Sequence, residues 1–267
     1  MTSQPAATPD GARRGLRGRA LVWKRFDFRE TSRIVALFLR EHGVVHALAK
    51  GAHRENSPLL GRIDFLCDLD VQLSSAREGL RTLLRAELSR ERRGLRAPAR
   101  FLAASHLVEV CDFALVPSRG DPELFDLVDG GLTLIERCPL ASLPTVVLGL
   151  ELRLLAHLGA LPDLDACTEC GLPFDGQAFR GEVPGSLACR AHAASPRRAI
   201  SRAALLFLRA LRDQPGRSWP ELQLEVPAGT DSLPGAWLTL ALERQGRLRR
   251  HVFARPAASA RAVDTGS

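Results

Sequence analysis

Apolar and polar positions alternate in short bursts over the first third of the chain. "RALVWKRF", "SRIVALFL", "VVHALAK", "DFLCDLDVQL" and "LRTLLRAEL" are rich in Val, Leu and Phe and predict five β-strands between Gly18 and Leu88. "DFRET", "REHG", "GAHRENSPLLGR" and "SSAREG" separate them as turns. Strands this few and this short suit a small closed barrel rather than a sandwich. An OB-fold, a five-stranded barrel widely used to bind nucleic acid, fits the count. An SH3-like barrel fits it nearly as well, and the period alone does not separate them.

Beyond Arg96 the period changes to that of helices. "APARFLAASHLVEVCDFAL", "PELFDLVDGGLTLIERC", "LPTVVLGLELRLLAHLG" and "SRAALLFLRALRD" predict four, with Pro or Ser near several starts. Gly159 is placed to end the third and Ser201 to cap the fourth. A last helix is expected over "GAWLTLALERQG", stopping at Gly246. His106 and Glu109 read as an ordinary helix face. These helices are apolar on more than one side, which predicts a compact helical domain. The longest apolar run is broken by Glu151 and Arg153, which argues against a membrane span. The first sixteen residues lack the apolar region of a secretory signal. No internal repeat is visible.

Between the third and fourth helices stand Cys167-x2-Cys170 and then Cys189-x2-His192, with a Gly- and Pro-rich segment between them. Two such knuckles can close four ligands on one tetrahedral zinc ion, and Cys3His is a closed, structural set. A catalytic zinc would need an open position and a nearby acid or base. His53-Arg54-Glu55 does match the H-x-E of zinc deaminases. It lies more than a hundred residues before the cysteines, and Ala166 rather than proline precedes Cys167. The clip therefore reads as structural. Cys67, Cys111 and Cys138 sit on apolar segments and are expected in the core. With no disulfide framework, a reducing cytoplasm fits best.

Charge adds a further asymmetry. Residues 1–100 hold 20 Lys and Arg against 11 Asp and Glu, whereas residues 101–267 hold 17 against 19. A basic half joined to a nearly neutral one points to a polyanion-binding module on a supporting domain. Arg outnumbers Lys 35 to 2, a bias that explains the choice of cation but not its placement.

"ALVWKRFDFRETSRIVALFLREHGVVHALAKGAHRENSPLLGRIDFL", followed by "GLRTLLRAEL", resembles the N-terminal barrel of the RecO family of DNA-repair proteins. L-G-x-L-P-x-L-D-x-C-x-x-C (Leu158 to Cys170) with its second knuckle is similar to the zinc-bearing members of that family. The resemblance runs from about residue 17 to residue 250. It implies an α+β, multi-domain protein with an OB-fold DNA-binding domain over 16–92. A helical domain over 93–254 would follow, carrying a zinc ribbon insertion over 165–193, with disordered tails at 1–15 and 255–267. It also implies a bacterial, nucleoid-associated recombination mediator, not an enzyme. Such a protein binds single- and double-stranded DNA, anneals complementary strands, and partners RecR to help RecA onto strands coated by single-strand-binding protein. No phosphate-cradling glycine motif is present, in keeping with that. Two departures stand out. The loop "HRENSPLL" is less basic than is usual in the family, and His192 stands where many relatives have cysteine.

The cations expected to touch DNA are Lys24, Arg25, Arg33, Arg40, Lys50, Arg54 and Arg62. Strict alternation along "LVWKRFDF" sends Val22, Lys24 and Phe26 to one face and Trp23, Arg25 and Asp27 to the other. Phe38 and Phe65 are expected to be buried, leaving Trp23 or Phe28 as stackers. "RRGLRAPAR" (Arg92 to Arg100) reads either as an extension of the DNA track or as a solvated linker, and "SPRRAISR" carries the same ambiguity. Two competing classes remain. One is an enzyme with a structural zinc clip, which the missing glycine loop disfavours. The other is a zinc-containing regulator reading duplex sequence, disfavoured because the basic half is the β-rich one.

Overall fold

The computed structural model describes residues 15–57, 59, 61–75, 79–116, 119–195, 197, 199–222 and 225–253. The segments read as disordered tails lie outside these, apart from Gly15, as do Pro196 and Arg198 of "SPRRAISR".

Five strands, β1 (Leu16–Phe28), β2 (Ser32–Leu39), β3 (Gly43–Ala49), β4 (Asp68–Leu73) and β5 (Leu80–Arg90), close into a barrel in the order β1-β2-β3-β5-β4. Every pairing is antiparallel except β3 with β5, which run parallel over His46–Leu48 against Leu80–Thr82. That order with one parallel seam is the OB arrangement, so the SH3-like alternative falls. β4 begins at Asp68 rather than Asp64, because Leu66 takes a left-handed φ of 68°. The resulting turn bonds to β1, with Leu66 N–H donating to Val22 O at 3.1 Å and Val22 N–H to Cys67 O at 2.9 Å.

The alternation predicted for β1 fails at one point. Val22 pairs with Leu37 and Lys24 with Ala36, so Trp23 is an extra residue in a β-bulge. Val22 packs inside the barrel, whereas Trp23 packs among the helices. Trp23 Nε1 donates to Asp112 Oδ1 at 2.7 Å, and Lys24 Nζ pairs with Asp112 Oδ2 at 2.6 Å. The bulge thus aims two consecutive side chains at one helix, which simple alternation forbids.

The other half holds α1 (Pro98–Ala114), α2 (Pro122–Arg137), α3 (Leu143–His157), α4 (Arg202–Asp213), α5 (Ser232–Leu242) and the short α6 (Arg249–Val252). Ser201 caps α4 by accepting from Ala204 N–H at 3.2 Å, and Asp121 caps α2 through Leu124 N–H at 2.9 Å. Gly159 follows α3 with a φ of +67°. The last predicted helix ends earlier than expected, at Leu242, where Glu243 takes the left-handed conformation instead of Gly246. Leu140–His157 is long and apolar enough to cross a membrane by length and composition. In the fold it is the central helix of the core, buried on nearly every side.

Close packing of α3 depends on a missing side chain. A Cβ at Gly149 would lie 2.6 Å from the ring of Trp219, which is buried and fixed by Nε1 donating to Leu211 O at 3.1 Å. At Gly130 on α2 a Cβ would meet nothing within 4 Å. Gly149→Ala is therefore expected to destabilise by about 1–3 kcal/mol through overpacking. Gly130→Ala should stabilise by about 0.5–1 kcal/mol through helix propensity. Urea unfolding of both variants checks the pair; a stabilised Gly149→Ala would show that Trp219 yields.

His106 and Glu109 are more than a helix face. His106 is buried, with Nε2 at 2.8 Å from Glu151 Oε1 on α3. Arg249 of α6 pairs with the same carboxylate through Nε at 2.7 Å and Nη2 at 2.9 Å. Glu109 accepts from the backbone N–H groups of Arg247 and Leu248 at 3.0 and 3.1 Å, so it receives the start of α6. These acids pin the end of the described chain to α1 and α3.

The barrel has an interior core of its own, and one face of it also joins the core of the helices. Leu21, Trp23, Ala36, Phe38 and Leu66 from the barrel belong to the same cluster as the helices. Trp23, Phe38 and Phe125 stack in series, with ring centroids 4.9 and 5.2 Å apart. Beside them, Arg92 on the connecting segment is almost fully buried and pairs with Asp68 Oδ2 at 3.0 Å and with Asp129. Arg19 joins from β1, 3.1 Å from Asp68 and 2.6 Å from Asp129. Burial pushes the Asp68 carboxyl up, further than Arg92 and Arg19 pull it down, so it stays above its usual range.

The basic segment after β5 is therefore divided in its work. Arg92 is part of the core, and Arg100 Nη1 donates to the carbonyls of Ile135 and Glu136 at the end of α2. Neither is a solvated linker residue or available to phosphate. Arg93 and Arg96 remain exposed and share one acid, Glu91.

Candidate metal centre and nucleic-acid interface

The ribbon follows α3. β6 (Ala178–Arg180) pairs with β7 (Leu187–Ala188) on one side and β8 (Ala199–Ile200) on the other. The first knuckle is a tight turn: Gly171 N–H donates to Cys167 O at 2.8 Å, and Gly171 takes a φ of +70°, the region glycine enters without strain. The second closes with His192 N–H donating to Cys189 O at 3.1 Å. Thr168 ties the two together, its N–H and its hydroxyl both donating to Leu187 O at 3.0 Å.

These turns bring the four predicted ligands to one point. Their donor atoms all lie within 4.8 Å of one another. Cys167 Sγ is 3.7 Å from His192 Nδ1, Cys189 Sγ is 3.3 Å from it, and Cys170 Sγ is 4.0 Å from Cys189 Sγ. Zn–S and Zn–N bond lengths in a tetrahedron place such atoms about 3.5–3.8 Å apart, so the set could close on a metal ion through small side-chain adjustments.

The electrostatics agree. Burial pushes the Cys167 thiol up, but N–H groups of Cys189, Cys170 and Glu169 together outweigh it and bring it down to about 6. The His192 N–H lowers Cys189 likewise. The thiolate is the ligating form. At Cys170 the Leu172 N–H pulls down, yet burial and the Cys167 and Cys189 sulfurs prevail and push it up. Three sulfurs crowd together here, and a dication would relieve that crowding. Cys167, Phe174, Ala178, Leu187 and Ala188 are built into the same core as the helices. The centre could therefore staple the helical half.

His53 takes no part. Its Nε2 lies 3.0 Å from Asp27 Oδ1 on the barrel, so the H-x-E match is a coincidence of sequence. The other three cysteines are buried as expected, and burial pushes their thiols up.

The seven predicted DNA-contacting cations do not form one patch. The connection from β3 to β4 folds back over the β1–β2 turn, with His53 N–H donating to Thr31 O at 3.1 Å. This gathers Arg33, Lys50 and Arg54 at one end of the barrel, with Arg62 further along the same connection. Lys50, Arg54 and Arg62 are exposed and have no ion-pair partner among the described residues. Arg33 pairs with Asp27 at 3.0 Å, holding that carboxyl below its usual range, and Arg25 pairs with Asp64.

Lys24 and Arg40 are committed elsewhere. Lys24 is held by Asp112 of α1, and Arg40 reaches Asp126 of α2 at 2.8 Å from the opposite end of the barrel. The cleft beside Arg40, about 460 Å³, mixes Arg17, Arg19 and His42 with Glu41, Asp126 and Asp129. Its charges compensate one another, so it offers no cradle for a polyanion.

The aromatic expectations need two corrections. Trp23 is fully buried because of the bulge, so it is not a platform. Phe65, expected inside, is only half-buried, and Phe26 is 52% exposed. Phe38 is buried as predicted and Phe28 is half-buried.

Comparison with known proteins adds a consistent result. Residues 15–92 match the family profile described as Recombination protein O N terminal, and residues 95–231 match Recombination protein O C terminal. A DNA repair protein RecO of Pelobacter propionicus is 30% identical over 173 residues, covering 64% of this chain and 70% of that protein. A DNA repair protein RecO of Synechococcus sp. (strain JA-2-3B'a(2-13)) is 32% identical over 237 residues, 83% of this chain and 78% of the relative. One from a second Synechococcus strain, JA-3-3Ab, is 33% identical over 172 residues but matched over only 56% of its own length.

Proposed function

The chain belongs to the RecO family of DNA repair proteins, and on that footing we propose that it binds single- and double-stranded DNA and anneals complementary strands. With RecR, it would then help place RecA on strands coated by single-strand-binding protein. A role in DNA repair and recombination follows from the family itself. The observation that supports the annealing reading is the barrel end where Lys50, Arg54 and Arg62 stand exposed without carboxylate partners among the described residues.

Annealing needs no bond-making group, and the reading assigns no catalytic residue. It needs a surface that neutralises phosphate on two strands so that they meet without mutual repulsion. Lys50, Arg54 and Arg62 offer charge that is not already compensated. Arg25 and Arg33 sit in surface pairs, which are worth little in water, so phosphate can displace their carboxylates. In this reading Lys24 and Arg40 contribute less to DNA contact, because they face carboxylates of the helical half, Asp112 and Asp126, away from that end of the barrel.

Residues 16–92 act as the DNA-binding unit and 93–254 as its support. Cys167, Cys170, Cys189 and His192 hold one structural zinc within the insert 165–193. Partner proteins dock on the helical half, and the protein works in the bacterial cytoplasm at the nucleoid.

Annealing of complementary oligonucleotides by the purified protein, without nucleotide, across a salt series tests the proposal. Neutralising roughly five phosphates gives a log–log salt slope of about −3.5 on single strands. Replacing Lys50, Arg54 and Arg62 together by Ala should shallow the slope by about 2. Absence of annealing, with or without a coat of single-strand-binding protein, overturns the reading.

A further inference from the structure

Among the described residues two aromatic side chains are strongly exposed, Phe26 at 52% on β1 and Phe101 at 45% near the start of α1. They come from different halves of the molecule, and the turn before β4 reaches the second of them. Asp64 of that turn pairs with Arg25, the neighbour of Phe26. The next residue, Phe65, meets Phe101 edge to face with ring centroids 5.9 Å apart at 76°. The turn is fixed to β1 by its backbone bonds to Val22, so this arrangement is rigid.

Cations flank the rings on both sides. Arg25 lies at one end, and Arg93 and Arg96, with side chains 81% and 72% exposed, lie at the other. Arg25 is held at the turn by Asp64, the residue before Phe65. Glu91 is shared by Arg93 and Arg96, so that end keeps a net positive charge. An edge-to-face pair occupies at most one face of one ring, leaving a π-face for a further partner.

We propose that Phe101, braced by Phe65, is a stacking platform for an unpaired DNA base, flanked by Arg25 on one side and by Arg93 and Arg96 on the other. The inference rests on the DNA-binding reading above and adds a grip specific for single strands on the helical half. Phosphate contacts alone treat single and double strands alike in kind, whereas a ring can stack only on a base that is not already stacked in a duplex. A ring with cations beside it suits a nucleotide chain, which carries bases and phosphates together. A protein partner would instead call for a contiguous apolar patch, and here an ion pair interrupts the rings.

The test compares binding of the full chain to an oligothymidylate and to an abasic oligonucleotide of equal length, at one salt concentration. The intact protein is expected to bind the base-bearing strand about fivefold or more tighter than the abasic one. Phe101→Leu, which keeps the apolar contact with Phe65 but removes the π-face, should lose most of that ratio while binding the abasic strand unchanged. Equal binding of both strands by the intact protein overturns the platform and leaves the phosphate-binding reading in place. Binding of neither strand overturns the DNA-binding reading and the platform with it. A Phe101→Leu protein that keeps the full ratio assigns the stacking elsewhere.

Discussion

An Arg92→Met protein is expected to unfold about 10 °C below the parent at neutral pH, from a loss of about 3–5 kcal/mol. The cause is the carboxylate left behind. Asp68 is 1% exposed, and Arg92 at the same depth is its nearest full charge, with Arg19 reaching it from a side chain 41% exposed. Removing one member of a buried pair leaves an uncompensated charge, which costs far more than the intact pair contributes. Two measurements separate this cause from a simple packing defect. Adding Asp68→Asn to the Arg92→Met background should recover at least half of the loss, because no buried charge then lacks a partner. The deficit should also shrink as pH falls. Burial already raises the Asp68 carboxyl and Arg92 opposes that, so the variant's folded carboxyl sits higher still. A carboxyl raised in the folded state binds its proton there first, and stability therefore rises as pH drops through that value. A deficit equal at pH 7 and at pH 4.5 would rule out the buried charge as its origin.

Loss of the metal should be comparably severe. The purified protein is expected to carry close to one equivalent of zinc, and Cys167→Ser to carry much less. Its melting temperature should fall by roughly 10 °C or more, and a strong chelator should move the parent the same way. The reason lies in where the ribbon is anchored. Cys167 and its neighbours Phe174 and Leu187 are core residues of the helical half, so loosening the knuckles opens that core rather than an appendage. DNA binding measured well below the melting point should survive, because Lys50, Arg54 and Arg62 stand on the barrel half whereas the ribbon is built into the core of the helices. A Cys167→Ser protein with undiminished thermal stability but no annealing would reverse the assignment and give the metal a direct part in function.

The sequence made the skeleton legible because the skeleton depends on local period and spacing. The five strands and the four long helices follow from apolar repeats of two and of three to four. The ligand set follows from two knuckles whose turn chemistry is carried by neighbours such as Gly171. What stayed hidden depends on partners far along the chain. Lys24 reads as a free cation until Asp112, 88 positions away, folds against it, and Arg40 until Asp126, 86 away. Glu151 meets His106 and Arg249 across separations of 45 and 98. Trp23 was misplaced for a different reason. One inserted residue in β1 turned it from a candidate platform into the centre of the interface, and period-two reasoning has no means of seeing a bulge. The early stop of the last long helix is similar, since Glu243 adopts a conformation usually left to glycine.

The shared core also decides what can be separated from what. A barrel cut away after Arg92 would expose Leu21, Trp23, Ala36, Phe38 and Leu66 together, an adhesive greasy face on an otherwise cationic particle. It would also leave Arg19 and Arg92 without their second partner, Asp129. Such a fragment would clump rather than behave as a soluble miniature of the whole. The helices are to this barrel what the second half of a zip is to the first. The barrel is a tool with a handle that does not come off.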